Sequence, residues 1–433
     1  MKLYRKIAWR SLLKNKRRSL ATGLAIAAGY AGLCLLGGYI LRTERYLRVN
    51  SIYINHSGHL SIYKNGGPDF FYSDPKKYQL KGEDLHKLQE VLQNNKKIEF
   101  MVPILQGMGL LSNGTKSVPF MGYGINPDDE RRIQEHDQVK IWTHELTPPS
   151  SEPSIKNAMG PLAETISITR QLGLHLGRPV PFKNLTTEMK DVQIAAQTFD
   201  GDLNAVNANL GFQHTTGFAM MEDTSLVAPL QLLRNLYGTE GATYLAVFLT
   251  PENSVGEVLQ EFEKLFKIKS LNFEVIPFDD DRIGLFYSGT MGFLYIMAGF
   301  FVFLIFSAVA LSIINSMTIG ILERVHEIGT FQALGFTGSQ ISWLLSLESF
   351  YLTLMSLLIG FIMAQGASFL VNGLNIRFTP PGISGDMQFI LSPDFSFCLV
   401  LCIPILIIGV TCAFIVSRRL VNKPIIQLLQ QAN

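Results

Sequence analysis

Glu323-Arg324-Val325-His326-Glu327-Ile328-Gly329-Thr330-Phe331-Gln332-Ala333-Leu334-Gly335 interrupts sequence that is apolar on both sides. Before it, Ile283–Leu322 carries no charged residue, and after it apolar sequence resumes at Ile341. About 20 apolar residues let a helix cross the hydrocarbon core, so a polar turn between two such runs places a short loop at a bilayer surface. The first run exceeds that need. At ~1.5 Å per residue it reaches roughly 60 Å as a helix. The span is therefore expected to project from the membrane as a stalk, with Gly284 and Gly289 marking where it bends or begins.

Composition points the same way. Of 433 residues, 47% are hydrophobic and 17% charged, and the mean hydropathy is +0.21. That charge content is below the roughly 25% of soluble domains, which suggests membrane spans joined to soluble mass. Besides 283–322, the runs 20–41, 341–371 (within Ile341–Asn375) and 395–417 are long enough to cross, giving four transmembrane helices. Lys2, Arg5, Lys6, Arg10, Lys14, Lys16, Arg17 and Arg18 precede the first span, against Arg42, Arg45 and Arg48 after it. Positive charge favours the cytoplasmic side, so both termini, the 323–340 loop and the 418–433 tail are expected there. Residues 42–282 and the short 372–394 loop then face outward.

The 20–41 run is too long for a signal-peptide core and no small-x-small site follows it, so it reads as a signal anchor. Leu33 before Cys34 disfavours lipoprotein cleavage. Residues 1–19, with Leu3, Ile7, Arg10 and Lys14 at helical spacing and Trp9 near the interface, read as an amphipathic helix on the anionic leaflet. The outward region has a mixed α/β pattern. His59–Tyr63, Val118–Tyr123, Thr243–Leu249 and Phe273–Pro277 read as strands, and Gly82–Asn94 and the segment after Ser254 as helices. Two strand–helix–strand units separated by a middle insertion, about 143–236, fit this pattern.

Little in the chain points to catalysis. Gly109–Ser117 approaches a phosphate-binding loop, but Thr115 separates Gly114 from Lys116, so nest and ammonium cannot converge; a hairpin turn at Ser112-Asn113-Gly114 fits better. His56 and His59 lack an acidic or cysteine partner nearby in sequence, and Asp279-Asp280-Asp281 lacks the alternation of a calcium loop. Cys34, Cys398, Cys402 and Cys412 all lie in apolar runs and read as buried small residues. No catalytic, cofactor or metal site is expected. Glu348 differs, because an acid inside a span is costly and needs a partner or water. It reads as an interfacial carboxylate that reaches headgroups or basic residues, or that helps to hold the 323–337 loop. In that loop a short helix would present Glu323, Arg324, His326 and Glu327 to the cytoplasm, while Ile328, Phe331 and Leu334 pack inward.

The Glu323–Gly335 stretch, followed by Gln340-Ile341 and Leu347-Glu348, resembles the coupling segment of FtsX-like, MacB-type ABC transporter permeases (the type VII superfamily). That segment reads R-E-I-G, then R/K-A-L-G, Q-I and L-E. Trp9–Ser19 looks like the family's basic amino-terminal helix. Ser417–Leu429 looks like its closing stretch, although Ile426-Gln427 replaces the usual small residue. Gly58–Tyr63, Met121–Pro127 and Ala163–Gly177 look most like the LolC/LolE-type branch, which extracts lipoproteins from the bacterial inner membrane. The loop through which one member passes cargo to a chaperone is short here, at Arg178–Gln193.

The resemblance implies an α-helical membrane protein with four transmembrane helices plus a large α/β periplasmic domain inserted between the first and second helices. It implies a non-catalytic permease subunit in the inner membrane, coupled to a cytoplasmic ABC ATPase dimer through Glu323, Arg324, His326, Glu327, Ile328, Gly329, Leu334 and Gly335, with Glu348 in support. ATP and Mg would bind the ATPase and no cofactor this chain. A second permease copy or paralogue, membrane lipids and a periplasmic partner would complete the assembly, without nucleic acid. The implied work is extraction or export of lipoprotein, lipid or another amphipathic substrate. The alternatives are mechanotransmission to a cell-wall hydrolase and MacB-like efflux of peptides or antibiotics.

Overall fold

The computed structural model describes residues 16–140, 165–177, 190–379, 382–384 and 387–421. Most of the expected amino-terminal amphipathic helix, part of the middle insertion, most of Arg178–Gln193 and the end of the closing stretch lie outside the described residues. The chain divides into two compact units. One comprises Met1–Thr43, Gly292–Ile376 and Phe389–Asn433, the other Glu44–Met291 and Arg377–Gln388.

Helix α1 (Lys16–Val49) is followed by a π-helical turn, Asn50–Ile54. The α/β unit then contains β1 (Leu60–Lys64), α2 (Gly82–Leu92), β2 (Ile98–Ser112), β3 (Ser117–Ile125) and α3 (Pro127–Gln134). It continues with β4 (Thr165–Thr169), β5 (Lys190–Gln197), β6 (Leu203–His214), β7 (Ser225–Pro229) and α4 (Leu230–Tyr237). It ends in β8 (Tyr244–Leu249), α5 (Val255–Ile268) and β9 (Phe273–Pro277).

Strand order explains how these pieces join. The sheet runs β3-β7-β4-β6-β5-β2-β8-β1-β9, and β3 also pairs with β2. The four strands β2-β8-β1-β9 are antiparallel neighbours, and β1–α2–β2 and β8–α5–β9 are the two strand–helix–strand units. This is the split β-α-β arrangement of ferredoxin-like folds. Its core holds Leu88 and Leu92 of α2, Val258, Phe262 and Phe266 of α5, and Leu245, Val247 and Leu249 of the fully buried β8. The apolar residues of α5 recur every four positions, and that spacing places them on one face.

The remaining strands close on themselves through β2, β3, β7, β4, β6 and β5, around a second core that includes Leu105, Phe120, Ile166, Ile194, Leu226 and Leu233. The inserted region therefore begins inside β2 and not near residue 143. At 15 residues, β2 pairs with β8 through Ile98–Ile104 and with β3 through Leu105–Ser112, so one strand belongs to both sheets. Gly109–Ser117 forms the β2–β3 hairpin, where Gly114 has φ +85° and Asn113 Oδ1 accepts the Lys116 N–H at 2.8 Å.

The other unit is built on long helices: α1, α6 (Leu285–Glu323), α8 (Gly338–Gly373) and α9 (Phe395–Val421), with the short α7 (Val325–Ala333) between α6 and α8. All four long helices are long and apolar enough to cross a membrane, and α6, at 39 residues, is the longest. Small residues bring them close. A Cβ on Gly360 of α8 would stand 2.5 Å from the Ala27 carbonyl oxygen of α1, and one on Gly37 of α1 would collide with the Phe397 ring of α9. Apolar solvent gives no hydrophobic drive between helices, so close packing and hydrogen bonds must hold them. Tyr30 donates to the Cys398 carbonyl at 2.9 Å and Ser349 to the Gly409 carbonyl at 3.1 Å. The four cysteines are free, and Cys34 and Cys398 are buried in this core.

The loop between α8 and α9 contributes a small ladder, Arg377–Phe378 with Met387–Gln388, to the α/β unit. There the buried Glu222 carboxylate accepts from Thr215 Oγ1, the Thr216 N–H and hydroxyl, and Ser384 Oγ, at 2.7–3.0 Å.

Candidate functional site

The polar corner begins where α6 stops. Arg324 leaves the helical region (φ −113°, ψ 22°) and α7 starts at the next residue. Its guanidinium bonds both oxygens of Glu348, at 3.1 and 3.3 Å, with side chains only 13% and 7% exposed. The carboxylate inside the third membrane helix thus has a cationic partner from the corner itself. One residue earlier, Glu323 pairs with Arg18 of α1 at 2.7 Å. Arg18 can lie there because Gly320 of α6 has no side chain, and a Cβ would stand 2.6 Å from the guanidinium.

Helix α7 ends in a Schellman turn. Phe336 N–H donates to the Phe331 carbonyl and Gly335 N–H to the Gln332 carbonyl, both at 3.0 Å. Gly335 holds φ +90°, a conformation that glycine adopts without steric cost. The apolar contact of that motif is present as the Phe331–Phe336 ring pair, 5.6 Å between centroids. Two residues on, Thr337 and Gln340 form a capping box that starts α8: Gln340 N–H donates to Thr337 Oγ1 (3.3 Å) and Thr337 N–H to Gln340 Oε1 (2.9 Å). Beneath the corner, Ile328 packs with Ile321, Ile341, Leu345 and Val421, and Gln332 donates to the Val421 carbonyl at 3.2 Å.

The sequence-predicted residues therefore divide in two. Glu323, Arg324 and Glu348 come together around Arg18, Ile328 is buried, Gly329 is half-buried and Gly335 makes the turn. His326, Glu327 and Leu334 are exposed. Two expectations need correction. Arg324 turns inward to Glu348, because an acid buried in a span demands a cation. Leu334, expected to pack inward, is 72% exposed, since α7 ends at Ala333 and the left-handed Gly335 redirects the chain. The outer face thus reads His326, Glu327, Thr330, Leu334: polar and ionic groups beside one bare leucine. The roles of Arg18 and Gln332 were missed. Their partners lie 305 and 89 residues away, and nothing local in the sequence announces them.

Other residues singled out from sequence serve the α/β fold. His56 Nε2 lies 2.6 Å from Glu130 Oε2, both buried, and Gln134 donates to the other oxygen at 2.9 Å. Burial works to raise the Glu130 carboxyl, but the adjacent His56 and the Gln134 amide outweigh it and hold it below the ordinary carboxylate range. His59 accepts the Leu249 N–H through Nδ1 (3.1 Å), and burial pushes its imidazole down to about 4. Asp280 is clamped by Arg282 at 3.0 Å, which also pairs with Glu274. Among the described residues, no group of three or more histidines, cysteines or acids is placed to hold a metal ion.

Residues 299–425 match the family of FtsX-like permease C-terminal domains. Over 86 residues the chain is 35% identical to the ABC transporter permease YtrF of Bacillus subtilis (strain 168), a match that spans 19% of this chain and 20% of that protein. Among solved structures it is similar to the periplasmic region of MacB from Actinobacillus actinomycetemcomitans (15% identity, 51% of this chain and 88% of that one, TM-score 0.29). It is also similar to the extracellular domain of the noncanonic ABC-type transporter YknZ from Gram-positive bacteria (11% identity, 50% and 98%, TM-score 0.29). The similarity to FtsX-like permeases is thus carried by residues 299–425, and the match to the curated relative spans about a fifth of that protein's length.

Proposed function

We propose that this chain is a non-catalytic permease subunit whose α7 corner docks a separate cytoplasmic ABC ATPase. The observation that carries this reading is the construction of the corner. Two ion pairs, a Schellman turn, a capping box and an apolar core fix the backbone, while His326, Glu327, Thr330 and Leu334 stay on the outside. A short helix that presents one exposed leucine among polar and ionic groups offers an apolar contact with a polar rim, as interfaces do. ATP and Mg belong to the partner, and two permeases, identical or paralogous, flank an ATPase dimer. In this reading both termini and α7 are cytoplasmic, the membrane is the bacterial inner membrane, and the α/β unit is periplasmic.

The work done is movement of an amphipathic substrate, such as a lipoprotein or lipid, away from the outer leaflet, as in the LolC/LolE-type branch. The length of α6 supports it: 39 residues reach roughly 58 Å, about twice the hydrocarbon core. Movement at one end of such a helix is felt well outside the bilayer. Co-purification tests the docking. Glu327→Lys combined with Gly329→Pro reverses a charge and breaks α7 at its centre, and should abolish recovery of the ATPase while the permease still inserts. Undiminished recovery would remove the corner from the docking role. Recovery of a wall hydrolase on the α/β unit, with no lipid or lipoprotein adduct, would favour mechanotransmission instead.

A further inference from the structure

A cavity of 340 Å³ lies within the α/β unit. Its wall comes from separate stretches of chain: the π-helical turn after α1, the Tyr63–Tyr72 region, β3, the Phe218–Met221 turn and the first turn of α6. Its size falls within the roughly 300–1,000 Å³ of small-molecule sites.

Several polar groups in the wall are already engaged. The Tyr72 hydroxyl donates to Gln106 Oε1 (3.2 Å), that of Tyr244 to the His56 carbonyl (3.3 Å) and that of Tyr287 to Glu44 Oε1 (3.2 Å). Arg282, the one charged residue among the described residues lining the cavity, is held by Asp280 and Glu274 at 3.0 and 2.7 Å. Burial pushes the Tyr72 phenol up to about 12 and raises those of Tyr63 and Tyr123, so these phenols stay neutral and the charge at the wall is that of the ion-paired Arg282. A ligand that depended on these tyrosines and Arg282 for hydrogen bonds would have to break existing ones. Tyr63 packs on Tyr244 and Phe218 on Phe286, with centroids 5.0 and 4.4 Å apart, so ring faces that a flat aromatic guest would stack upon are taken. Met121, Met220 and Met221 complete the wall with flexible thioethers, which adapt to an irregular apolar guest.

The helix that supplies part of this wall is itself apolar on the outside. Leu285, the first residue of α6, lines the cavity and is 68% exposed. Positions 8, 11, 15 and 18 residues on share its helical face. They are Phe293, Ile296, Phe300 and Phe303, each more than half exposed. At Gly289 and Gly292 between them, the space where a Cβ would stand is open. Exposed apolar residues thus recur along one face of α6.

We propose that the cavity receives a linear acyl chain, from a membrane phospholipid or a lipid-anchored substrate. This deepens the amphipathic-substrate reading above and rests on it.

The test uses the full chain in vesicles of phosphatidylethanolamine and phosphatidylglycerol, without ATPase or ATP, so that failure of ATPase docking cannot affect it. One arm supplies a phospholipid with a diazirine at the end of an acyl chain, the other a triacylated cysteine lipopeptide with the same group. After illumination, labelled peptides are mapped by mass spectrometry. Adducts on Tyr63–Tyr72, Met121 or Met220–Met221 in either arm support the proposal, and the arm that gives them identifies the source of the chain. In Met221→Trp, which fills the cavity, these adducts should fall at least fivefold, whereas Met221→Leu should retain them. Labelling confined to Phe293–Phe303, with none in the cavity, overturns the proposal in the unaltered chain, whatever the fate of the variants. Labelling of cavity peptides that Met221→Trp leaves unchanged overturns it too.

Discussion

Arg324 and Arg18 each pair with a glutamate at the corner, and their surroundings decide what each pair is worth. The Arg324–Glu348 pair is almost wholly shielded, so removing one partner strands a buried charge, at a cost of about 3–5 kcal/mol. Glu323 is 55% exposed, and pairs of that kind contribute about 0–1 kcal/mol. Arg324→Met should therefore lower the melting temperature sharply, and Arg324→Met with Glu348→Leu should recover most of the loss. Glu323→Gln should change it little. Thermal unfolding of the purified variants distinguishes these outcomes, and similar losses in all three would contradict the difference in burial. Glu348 stood out in the sequence because acids in spans are rare. Its partner did not, because it arrives from a corner 24 residues away.

Histidines in the α/β unit set a pH dependence. His214 is buried between Ser167 and Ser225, and burial pushes its imidazole down to about 4 against the nearby Glu130 charge, with His56 adding to the lowering. A depressed folded-state value means that the unfolded chain takes up the proton first. The stability this residue contributes is full above about 6.5 and is lost progressively as pH falls from there towards about 4. His59, near His136 and Arg48, follows the same sign over the same window. Glu130 adds a loss below the ordinary carboxylate range. Melting temperature should fall steadily between pH 7 and pH 5, and His214→Asn should flatten that slope. An unchanged slope would place the proton uptake elsewhere.

At the scale of elements, the corner is defined by how its helices stop and start. Gly335→Ala puts a Cβ at φ +90° and should cost about 1 kcal/mol. Thr337→Ala removes a cap worth about the same. Both should reduce ATPase recovery less than Gly329→Pro, which on helix propensity costs about 2 kcal/mol within a nine-residue helix. Equal loss in all three would mean that corner geometry, and not α7 itself, is what the partner reads. These signals are local, and Thr337-x-x-Gln340 and the glycine after the last helical residue stand in the sequence with their usual spacing. The long helices were equally plain from their apolar runs, and α2, α5, β8 and β9 from periodicity. The start of the insertion was not, because an apolar 15-residue strand gives no sign that its partner changes halfway.

At the scale of the molecule, the chain passes between its two compact units four times, after Thr43, Met291, Ile376 and Gln388. The third and fourth passes frame the segment that meets Glu222. Glu222→Ala should release Gly382–Ser384, seen as faster amide exchange in peptides from that loop while exchange in β8 stays slow. Protection unchanged in the loop would show that the small Arg377–Gln388 ladder suffices. None of this was legible beforehand, since the cavity and the Glu222 cluster are assembled from segments far apart in sequence. The shared strand β2 has a further consequence. Its two halves are one covalent chain laddered to different neighbours, so a pull along its axis loads many hydrogen bonds together in shear, instead of peeling them one by one. The junction between the two sheets should therefore behave as a stiff tie rod under tension, and strain entering at either end should pass through it with little slack.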